Sequence, residues 1–509
     1  MELREDSEFV MTLVELLERN ARELSNKTAV VFHTHRISYR ELNDTVNKVS
    51  CALLDMGIKK GDRVGFMLTR IPELVESFLA VAKVQGIAAP INFELPAEKI
   101  RAILKSILPR CLIAHASFLN LVRKSMPADS QIPVIAVGEA AGGSLLWDEI
   151  LKREKTNSPG FNIKNDDIVY LNYTSGFTGD SKGAITTHAN IYYNTIASVD
   201  ALGLTPNDVH LCMFAPFAHP HEIFARPLYL GGTMVLVDRI YPKSLAEAIS
   251  NNKVTCMMGL VPMYENLLEV LEHKTYDLSS LRIPESGGMH TRMEIIERFR
   301  QKVGVPIIPV WGSTETTGIA IANRPGENIL PGSTGKPCVS YEVKVVDKDD
   351  AGVPPGEIGE MIFKGPAVVQ GYYKDVVNDE VCFKKGWYYS GDLVKRDEEG
   401  NFYFVGTKTG MMKVAGLKVY PLEIELVLME HPDIREAAVI SVRDKLRGEV
   451  PKAIIIVRNG ERLTEKEVLG FCRERLAHYK VPRIIEMRDS LPKLGSGKIN
   501  KKILQMGCP

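Results

Sequence analysis

Short apolar runs alternate with segments of helical character along most of this chain, and that alternation restricts the possible folds. One helical segment begins at Pro72 and extends to residue 85, and a second covers residues 96–106. The apolar, strand-like runs lie at 63–69, 87–92, 209–215, 233–237, 254–258 and 306–310. Because strands that alternate with helices pair in parallel under a cover of helices, the pattern predicts an α/β fold with stacked, mostly parallel sheets.

From Glu342 onward the pattern changes to short β runs separated by glycine and proline turns. These runs predict a small β-barrel-like part or a sheet, and they lie at 342–346, 358–364 and 402–405. A compact tail follows, and its mixed pattern predicts strands at 411–414, 437–442 and 453–457 and helices at 421–430 and from 464. We therefore expect a large N-terminal domain and a small α+β C-terminal domain.

Composition excludes several classes of protein. The 509 residues exceed what one hydrophobic core usually supports, and 63 Lys and Arg balance 63 Asp and Glu, which argues against nucleic acid as a partner. Residues 1–6 are rich in charge, and no apolar stretch approaches the roughly 20 residues of a membrane span. We expect neither a signal peptide nor an integral membrane segment. The eight cysteines form no CxxC pair, which favours reduced thiols, a cytoplasmic location and no structural zinc site.

The most informative motif is a glycine-rich loop at 173–183, between an apolar run and a helix-like segment that begins at Thr187. Glycines let backbone N–H groups converge on an anion, hydroxyls donate hydrogen bonds, and a lysine adds a positive charge. The loop does not match the Walker A pattern, because Ser181 and Gly183 flank its lysine. Taken alone, the loop is either a phosphate site or a flexible connection. The candidate phosphate ligands are Thr174, Ser175, Gly176, Thr178, Gly179 and Lys182.

Four further motifs carry residues suited to chemistry. Residues 311–315 read Trp-Gly-Ser-Thr-Glu and offer an aromatic face, hydroxyls and a carboxylate. Residues 389–392 read Tyr-Ser-Gly-Asp, residues 416–419 read Gly-Leu-Lys-Val, and residues 492–498 read Pro-Lys-Leu-Gly-Ser-Gly-Lys. In their order and spacing the motifs resemble those of the adenylate-forming superfamily, which includes acyl-CoA synthetases, amino-acid-adenylating domains and luciferases. The resemblance covers nearly the whole chain.

The resemblance implies an ATP-dependent reaction in two steps. A carboxylate attacks the α-phosphate of ATP, acyl-AMP and pyrophosphate form, and a thiol then takes the acyl group. Charge that develops at phosphorus requires positive groups and N–H donors, which agrees with the residue types in the motifs. The implied cosubstrates are a carboxylic acid, ATP and coenzyme A, and the implied metal is Mg²⁺.

The resemblance also implies roles for residues of the large domain. The 173–183 loop would bind the β- and γ-phosphates, Trp311 and Gly312 would lie at the adenine, and Thr314 would lie near the α-phosphate. The implied Mg²⁺ ligands are Glu315 and Thr174. Two of these residues also have ordinary structural interpretations, since Trp311 could be a core aromatic and Glu315 an acid at a helix N-terminus.

Nearer the C-terminus, the resemblance implies that Asp392 accepts hydrogen bonds from the ribose hydroxyls and that Lys498 bridges the carboxylate and the α-phosphate. Gly416 and Lys418 would approach the acyl-adenylate when the thiol enters. The structural alternatives are a turn-forming aspartate and one solvated lysine among several.

The residues that would select the acid are less well marked. Segment 215–219 resembles the part of the family that carries the acid-pocket gate, and His219 is the candidate, with a structural histidine as the alternative. The turn at 286–288 resembles the lining of the adenine and acyl pockets, and Met289-His290 after it departs from the usual small residue and proline. The candidates here are Gly287, Gly288 and Met289. The aspartate with which amino-acid-adenylating domains hold an ammonium group has no convincing counterpart, which disfavours an α-amino acid. Glu222 leaves that alternative open.

Several positions depart from the family pattern. Phe177 removes a hydroxyl from the glycine-rich loop, and Ser181 replaces a proline. Thr407 stands where an arginine normally holds the ribose, and the neighbouring Lys408 is a candidate substitute.

The hinge between the domains is expected at 407–410, because Gly410 tolerates the change in backbone angles that a rotation needs. The expected domains are 1–406 and 411–509.

The favoured function is an AMP-forming acyl-CoA synthetase without a fused carrier domain. Segment 444–451 supports it, since this segment resembles the tail domain of CoA ligases. The first alternative is a stand-alone enzyme that loads a separate carrier protein. The second is a weakly catalytic nucleotide- or acyl-adenylate-binding protein, which Phe177 and Thr407 suggest. The identity of the acid is left open, and so is a homodimer.

Overall fold

The structure is a computed structural model, which describes residues 10–127, 130–139, 144–154, 157–175, 181–444, 448–458, 461–493 and 498–507. The chain divides into two compact units. Unit 1 comprises Met1–Glu342 and Phe363–Tyr388, and unit 2 comprises Val343–Ile362 and Tyr389–Pro509. Within the described residues no helix is both long enough and apolar enough to span a membrane. The seven cysteines of this part of the chain are free thiols.

The α-helices are α1 (Leu13–Glu23), α2 (Tyr39–Asp55), α3 (Pro72–Lys83), α4 (Ala97–Ile107), α5 (Leu119–Ser125), α6 (Trp147–Leu151), α7 (His188–Leu202), α8 (Ala225–Leu230), α9 (Pro242–Asn252), α10 (Val261–His273), α11 (Met293–Val303), α12 (Val376–Cys382), α13 (Pro421–Met429), α14 (Glu465–Arg475) and α15 (Lys501–Met506).

The strands are β1 (Thr28–Phe32), β2 (His35–Ser38), β3 (Arg63–Met67), β4 (Ile87–Pro90), β5 (Cys111–His115), β6 (Val134–Val137), β7 (Leu145–Leu146), β8 (Ile168–Ser175), β9 (Ser181–Thr187), β10 (Val209–Cys212), β11 (Thr233–Leu236), β12 (Cys256–Gly259), β13 (Ile283–Ser286), β14 (Ile308–Ser313), β15 (Gly318–Ala322), β16 (Ser333–Pro337), β17 (Glu342–Val346), β18 (Ile358–Lys364), β19 (Phe383–Lys384), β20 (Trp387–Arg396), β21 (Phe402–Thr407), β22 (Met412–Val414), β23 (Leu417–Val419), β24 (Ile434–Asp444), β25 (Gly448–Val457) and β26 (Ile484–Met487).

One sheet of unit 1 has seven strands in the order β7-β6-β5-β3-β4-β8-β9. The pairs from β7 to β8 are parallel, and β8 pairs antiparallel with β9. Every residue of β4 is buried, as expected for a parallel strand with both faces covered. Helix α3 begins with Pro72 in its first turn, packs against β4 and β8, and is buried around most of its circumference.

A second run of strands in unit 1 has the order β2-β1-β11-β10-β12-β13-β14-β15-β16. The strands from β1 to β14 are parallel, and antiparallel pairs extend both ends. Residues of α9, α10 and α11 pack on this run around a core that includes Leu211, Met257, Tyr264 and Phe299. Because parallel strands direct the segments that follow them to one edge, the segments after β10, β13 and β14 share that edge.

Unit 2 contains two groups of strands. The first has the order β17-β18-β20-β21, with parts of β18 and β20 in this unit. This order is open, so of the two predicted alternatives the described residues form a sheet and not a closed barrel. The second group is a five-stranded sheet in the order β23-β22-β25-β24, with β26 parallel to β25. Residues of α13 and α14 pack on it around Ile424, Val439, Ile455 and Cys472.

The α/β class is confirmed, with mostly parallel sheets in the large part and a small α+β part at the C-terminus. The division into two units does not fall at 407–410, and the expected domain boundary there stays a prediction.

The sequence-based prediction was wrong about the segment after the glycine-rich loop, which does not lead directly into a helix. Strand β9 follows the loop and runs antiparallel to β8 before α7 begins. Ser181, Lys182 and Gly183 are weak strand formers, so local preference concealed β9. Backbone pairing overrides that preference. Thr187 does cap α7, where its Oγ1 accepts a 3.2 Å hydrogen bond from the Asn190 backbone N–H.

Three charged residues of unit 1 form a buried network. Arg226 Nη1 donates to both carboxylate oxygens of Glu285, at 2.9 and 2.8 Å, and Nη2 lies 3.4 Å from Glu222 Oε2. The three side chains are at most 4% exposed. Since a buried charge is costly unless it is paired, each member of the network depends on the others. The network fixes α8 and Glu222 against β13.

We predict that Arg226→Met lowers the free energy of unfolding by about 3–5 kcal/mol, because two buried carboxylates lose their cation. The measurement is the urea midpoint of the purified protein. Lys243→Ala is the control, since the Lys243–Glu247 pair is 68% and 42% exposed and its loss changes stability by at most about 1 kcal/mol. A midpoint for Arg226→Met equal to that of Lys243→Ala contradicts the prediction.

Candidate functional site

Lys182 lies near the start of β9, in register with Thr174 of β8. The residue is buried, with 8% of its surface exposed. Its Nζ lies 3.9 Å from the Cys382 sulfur and 5.0 Å from the centroid of the Tyr372 ring. Neither neighbour is a carboxylate, so neither neutralises the charge of this predicted phosphate-binding lysine.

The rest of the glycine-rich loop cannot be placed in the same way. Gly176, Phe177, Thr178 and Gly179 lie outside the described residues. The backbones of Thr174 and Ser175 belong to β8, but their side chains also lie outside the described part of the chain.

Glu315 contacts Tyr372, the tyrosine whose ring lies near Lys182. Its Oε1 accepts a 2.6 Å hydrogen bond from the Tyr372 hydroxyl. Burial raises the pKa of Tyr372 far above its ordinary value, and the nearby charge of Glu315 raises it further, so the phenol keeps its proton and is the donor. The structure therefore brings Lys182 and Glu315 together around one buried tyrosine.

Ring contacts extend from this tyrosine to Trp311. The half-buried Trp311 ring stacks on Phe363, with centroids 4.7 Å apart and planes inclined by 2°. Contacts between neighbouring rings then continue through Tyr388 and Phe383 to Tyr372. One face of Trp311 is thus covered by protein, so a planar ligand such as adenine cannot stack on that face.

Gly312 is required by the hairpin between β14 and β15. A Cβ at this position would overlap the carbonyl oxygen of Gly318 on the opposite strand. The glycine therefore lets two backbones approach closely, directly before Thr314 and Glu315.

Asn172 joins three parts of the predicted site. Its Nδ2 donates a 2.6 Å hydrogen bond to the Ala218 carbonyl oxygen and lies 3.5 Å from Thr314 Oγ1. Both Asn172 and Thr314 are buried. The strand before the glycine-rich loop, the 311–315 motif and the predicted acid-pocket segment therefore meet at one side-chain amide.

The predicted acid-pocket residues lie close to one another. The rings of His219 and Phe214 are 5.8 Å apart. A Cβ at Gly287 would lie 3.2 Å from Val310 Cγ2 and 3.7 Å from Phe214 Cζ, so glycine lets both side chains lie close to its backbone. Gly288 has φ 74°, in the left-handed region that favours glycine, and it leads into the half-buried Met289.

Glu222 belongs to the buried network with Arg226 and Glu285. Its carboxylate already has a cationic neighbour, Arg226, at 3.4 Å. That pairing gives Glu222 a structural role and adds to the argument against an α-amino acid substrate.

Asp392 and Lys498 both belong to unit 2. Asp392 lies in β20 opposite Thr407 of β21. Loss of solvation lowers the pKa of the Lys498 ammonium, and the negative charge of Asp392 opposes that shift. Asp392 is thus the charged group that acts on the pKa of Lys498, and the Lys498 residue is exposed. Residues 494–497, which lead to Lys498, lie outside the described part of the chain.

The turn at the predicted hinge is held by Thr407 itself. The Thr407 Oγ1 accepts a 3.0 Å hydrogen bond from the Gly410 backbone N–H. Lys408 donates a 2.7 Å hydrogen bond to Glu360 Oε2, and Glu360 Oε1 accepts one of 3.2 Å from Gly391. Lys408 is therefore paired with a carboxylate, which argues against its replacing the missing arginine.

Gly416 forms the tip of the β22–β23 hairpin. Ala415 and Gly416 have φ values of 49° and 86°, as in the tight turns that suit twisted antiparallel strands. A Cβ on Gly416 would meet no heavy atom within 4 Å. Lys418 is exposed on the returning strand, in register with Lys413. The tip is thus an open surface with a defined backbone shape.

Sequence reasoning missed Asn172, Phe363 and Tyr372. The sequence did contain a signal for Asn172, because a lone amide in an apolar strand must find buried hydrogen-bond partners. The other two had none, since their contacts come from residues far away along the chain.

The described residues contain no group of three or more His, Cys, Asp or Glu that could hold a metal ion. A Mg²⁺ ion does not require such a group, because it commonly takes one or two protein carboxylates and completes its shell with substrate phosphates and water. Glu315 can supply such a carboxylate, and Tyr372 orients it.

Two family patterns match the chain. The pattern described as AMP-binding enzyme matches residues 17–373, and the AMP-binding enzyme C-terminal domain matches residues 423–498. Among known proteins, a feruloyl-CoA synthase from Amycolatopsis sp is 30% identical over 487 residues, which are 95% of this chain and 96% of that protein.

Solved structures of CoA ligases are also similar to this chain. An anthranilate CoA ligase in complex with anthranoyl-AMP has a TM-score of 0.91 and 31% identity, with 98% of both chains covered. The O-succinylbenzoate coenzyme A synthetase from Bacillus subtilis, in complex with ATP and magnesium ion, has a TM-score of 0.86 and 27% identity, with 96% of this chain and 99% of that chain covered.

These findings confirm the predicted function. The protein is an AMP-forming carboxylic acid–CoA ligase, and it uses ATP, Mg²⁺ and CoA. The chain belongs to the AMP-binding enzyme family.

Proposed function

We propose that this ligase activates its acid where Asn172 joins Thr314 to the acid-pocket segment. The observation that supports this proposal is the pair of contacts from Asn172 Nδ2 to Ala218 and Thr314. The attacking carboxylate and the α-phosphate must approach to about 3–3.5 Å. A single amide that binds the acid segment on one side and the nucleotide motif on the other fixes the two at a short separation.

In the proposed first step, a carboxylate oxygen of the acid attacks the α-phosphorus and pyrophosphate leaves. Lys182 and the glycine-rich loop hold the β- and γ-phosphates, and Lys498 lies between the carboxylate and the α-phosphate. Positive charge at these places stabilises the negative charge that grows in the transition state. Glu315 and Thr174 are the proposed protein ligands of Mg²⁺, which supplies further charge to the phosphates.

The nucleoside part is proposed to bind between the two charged regions. Adenine lies against Trp311, beside Gly312 and Gly288. Asp392 accepts hydrogen bonds from the ribose hydroxyls, and its charge also supports the protonated form of Lys498. The missing arginine at 407 leaves Asp392 as the proposed charged anchor of the ribose.

In the proposed second step, the CoA thiol attacks the acyl carbon and AMP leaves. Lys498 must first be withdrawn, and a path for the pantetheine arm must open. A rotation about 407–410 between domains 1–406 and 411–509 supplies both changes. The β22–β23 tip, with Gly416 and Lys418, then approaches the acyl-adenylate. The cytoplasmic location and a homodimer stay predictions.

The acid is proposed to carry an aromatic ring. Phe214 and Val310 lie against Gly287, and the His219 ring lies 5.8 Å from the Phe214 ring, so aromatic and apolar side chains are available to contact an aromatic acid. Relatives named for ferulate, anthranilate and O-succinylbenzoate support the same class.

For the acid, we predict that an aromatic acid gives a kcat/KM about 10-fold or more above that of a straight-chain acid with the same number of carbon atoms. The experiment incubates matched pairs of acids with ATP, Mg²⁺ and CoA and measures thioesters by mass spectrometry. Gly287→Ala should reduce that preference, because the added methyl lies 3.2 Å from Val310 Cγ2. Equal use of both acids contradicts the aromatic class, and thioester formation only with a carrier protein contradicts CoA as acceptor.

For Lys498, we predict that Lys498→Ala slows acyl-adenylate formation by ~10²-fold or more, because one positioned charge is lost from the transition state. Thioester formation from supplied acyl-adenylate should remain. Pyrophosphate release and thioester formation are measured separately. Lys493→Ala is the matched control, since Lys493 lies on the same segment but pairs with Glu436 at 2.9 Å. Adenylation by Lys498→Ala within a few-fold of the control would remove Lys498 from the catalytic residues.

For the β22–β23 tip, we predict that Gly416→Trp blocks thioester formation and leaves pyrophosphate release intact, because the side chain fills the path of the pantetheine arm. Gly416→Ala is the control for backbone strain, since both variants place a side chain at φ 86°. The two half-reactions are assayed for each variant. If Gly416→Trp reduces both half-reactions equally, or if Gly416→Ala reduces thioester formation as much, the proposed approach of the tip is wrong.

A further inference from the structure

Tyr372 contacts both of the charged residues that the proposed function assigns to the phosphates and to Mg²⁺. Its hydroxyl donates to Glu315 Oε1 at 2.6 Å, and its ring centroid lies 5.0 Å from Lys182 Nζ. We infer that Tyr372 is a positioning residue of the first half-reaction, which orients the metal-binding carboxylate with its hydroxyl and the phosphate-binding ammonium with its ring. This inference rests on the proposed roles of Lys182 and Glu315.

The backbone around Tyr372 is attached to the segments that carry both charged residues. The Tyr373 N–H donates to the Gly183 carbonyl oxygen at 2.7 Å, directly after Lys182 in the chain. The Val369 N–H donates to the Glu315 carbonyl oxygen at 2.9 Å. Segment 369–373 therefore connects β9 with the turn after β14, and Tyr372 lies within that connection.

The position of Tyr372 is fixed by a third contact. Asp379 Oδ1 accepts a 2.7 Å hydrogen bond from the Tyr372 backbone N–H. A Cβ at the preceding Gly371 would lie 2.8 and 2.9 Å from the two carboxylate oxygens of Asp379. Glycine is needed at 371 because it lets the Asp379 carboxylate approach closely. The hydrogen bond to Asp379 then holds the Tyr372 main chain against α12. The Tyr372 residue is 3% exposed, so its side chain has little freedom to move.

A phenol suits this place because it is neutral and offers two different groups for bonding, a hydroxyl and a ring face. Its hydroxyl can orient a carboxylate without neutralising it, which leaves the carboxylate able to bind a cation. The face of its ring attracts an ammonium group without forming an ion pair, which leaves Lys182 able to bind a phosphate. A lysine and a glutamate held by one neutral residue can both act on the same polyphosphate.

The test compares Tyr372→Phe, which removes the hydroxyl, with Tyr372→Leu, which removes the hydroxyl and the ring. ATP binding is measured by calorimetry at a series of Mg²⁺ concentrations, a readout that requires no knowledge of the acid. We expect Tyr372→Phe to raise the Mg²⁺ concentration for half-maximal binding by ~10-fold or more, the usual effect of losing a group that orients a metal ligand. We expect Tyr372→Leu also to weaken ATP binding at saturating Mg²⁺.

The second half-reaction distinguishes a positioning role of Tyr372 from a purely structural role. Thioester formation from supplied acyl-adenylate involves no β- or γ-phosphate, so both variants should keep the wild-type rate in that assay while pyrophosphate release slows. Tyr373→Phe is the matched control, because it removes the neighbouring hydroxyl. Unchanged Mg²⁺ dependence in Tyr372→Phe overturns the inference, and so does equal slowing of both half-reactions.

Two reference variants distinguish failure of this inference from failure of the proposed function. Glu315→Gln should change the Mg²⁺ dependence at least as much as Tyr372→Phe, and Lys182→Ala should weaken ATP binding. If Glu315→Gln leaves the Mg²⁺ dependence unchanged, the proposed role of Glu315 is wrong and the inference falls with it. If Glu315→Gln alters it and Tyr372→Phe does not, only the inference is wrong.

Discussion

Parallel strand pairing is the constraint on which the rest of the large unit depends. A parallel strand sends the segment after it to a fixed edge of its sheet, whatever the sequence of that segment. The segments after β10, β13 and β14 therefore share one edge, and Asn172 of the other sheet reaches two of them. Because the strands determine the position, the segments themselves can be short and rich in glycine.

The sequence predicted most of the fold, since alternating apolar runs and helical segments are local signals. It missed β9, where Lys182 and Gly183 form a strand only because β8 and segment 369–373 supply pairing partners. The same distinction applies to the site. Lys182 and Glu315 belong to short motifs and were predicted, whereas Tyr372 is selected by contacts with residues distant in sequence, which no local pattern records.

The departure from the family pattern at Thr407 has a structural explanation. Thr407 supplies a short hydroxyl that closes the turn on Gly410, a task for which the long side chain of an arginine is unsuited. Glu360 binds both Lys408 and the backbone of Gly391, and so it ties this turn to the strand that carries Asp392. Where the family pattern has an arginine, this chain thus has a hydroxyl that orders the connection between two strands.

The open hairpin of β22 and β23 has a kinetic consequence. Both residues of its turn occupy the left-handed region, so the tip is a tight turn with a defined backbone shape. A loop that had to order itself on arrival would need a folding event as well as a movement of the domain. With a preformed tip, the proposed rotation about 407–410 would need no separate folding step at the hairpin.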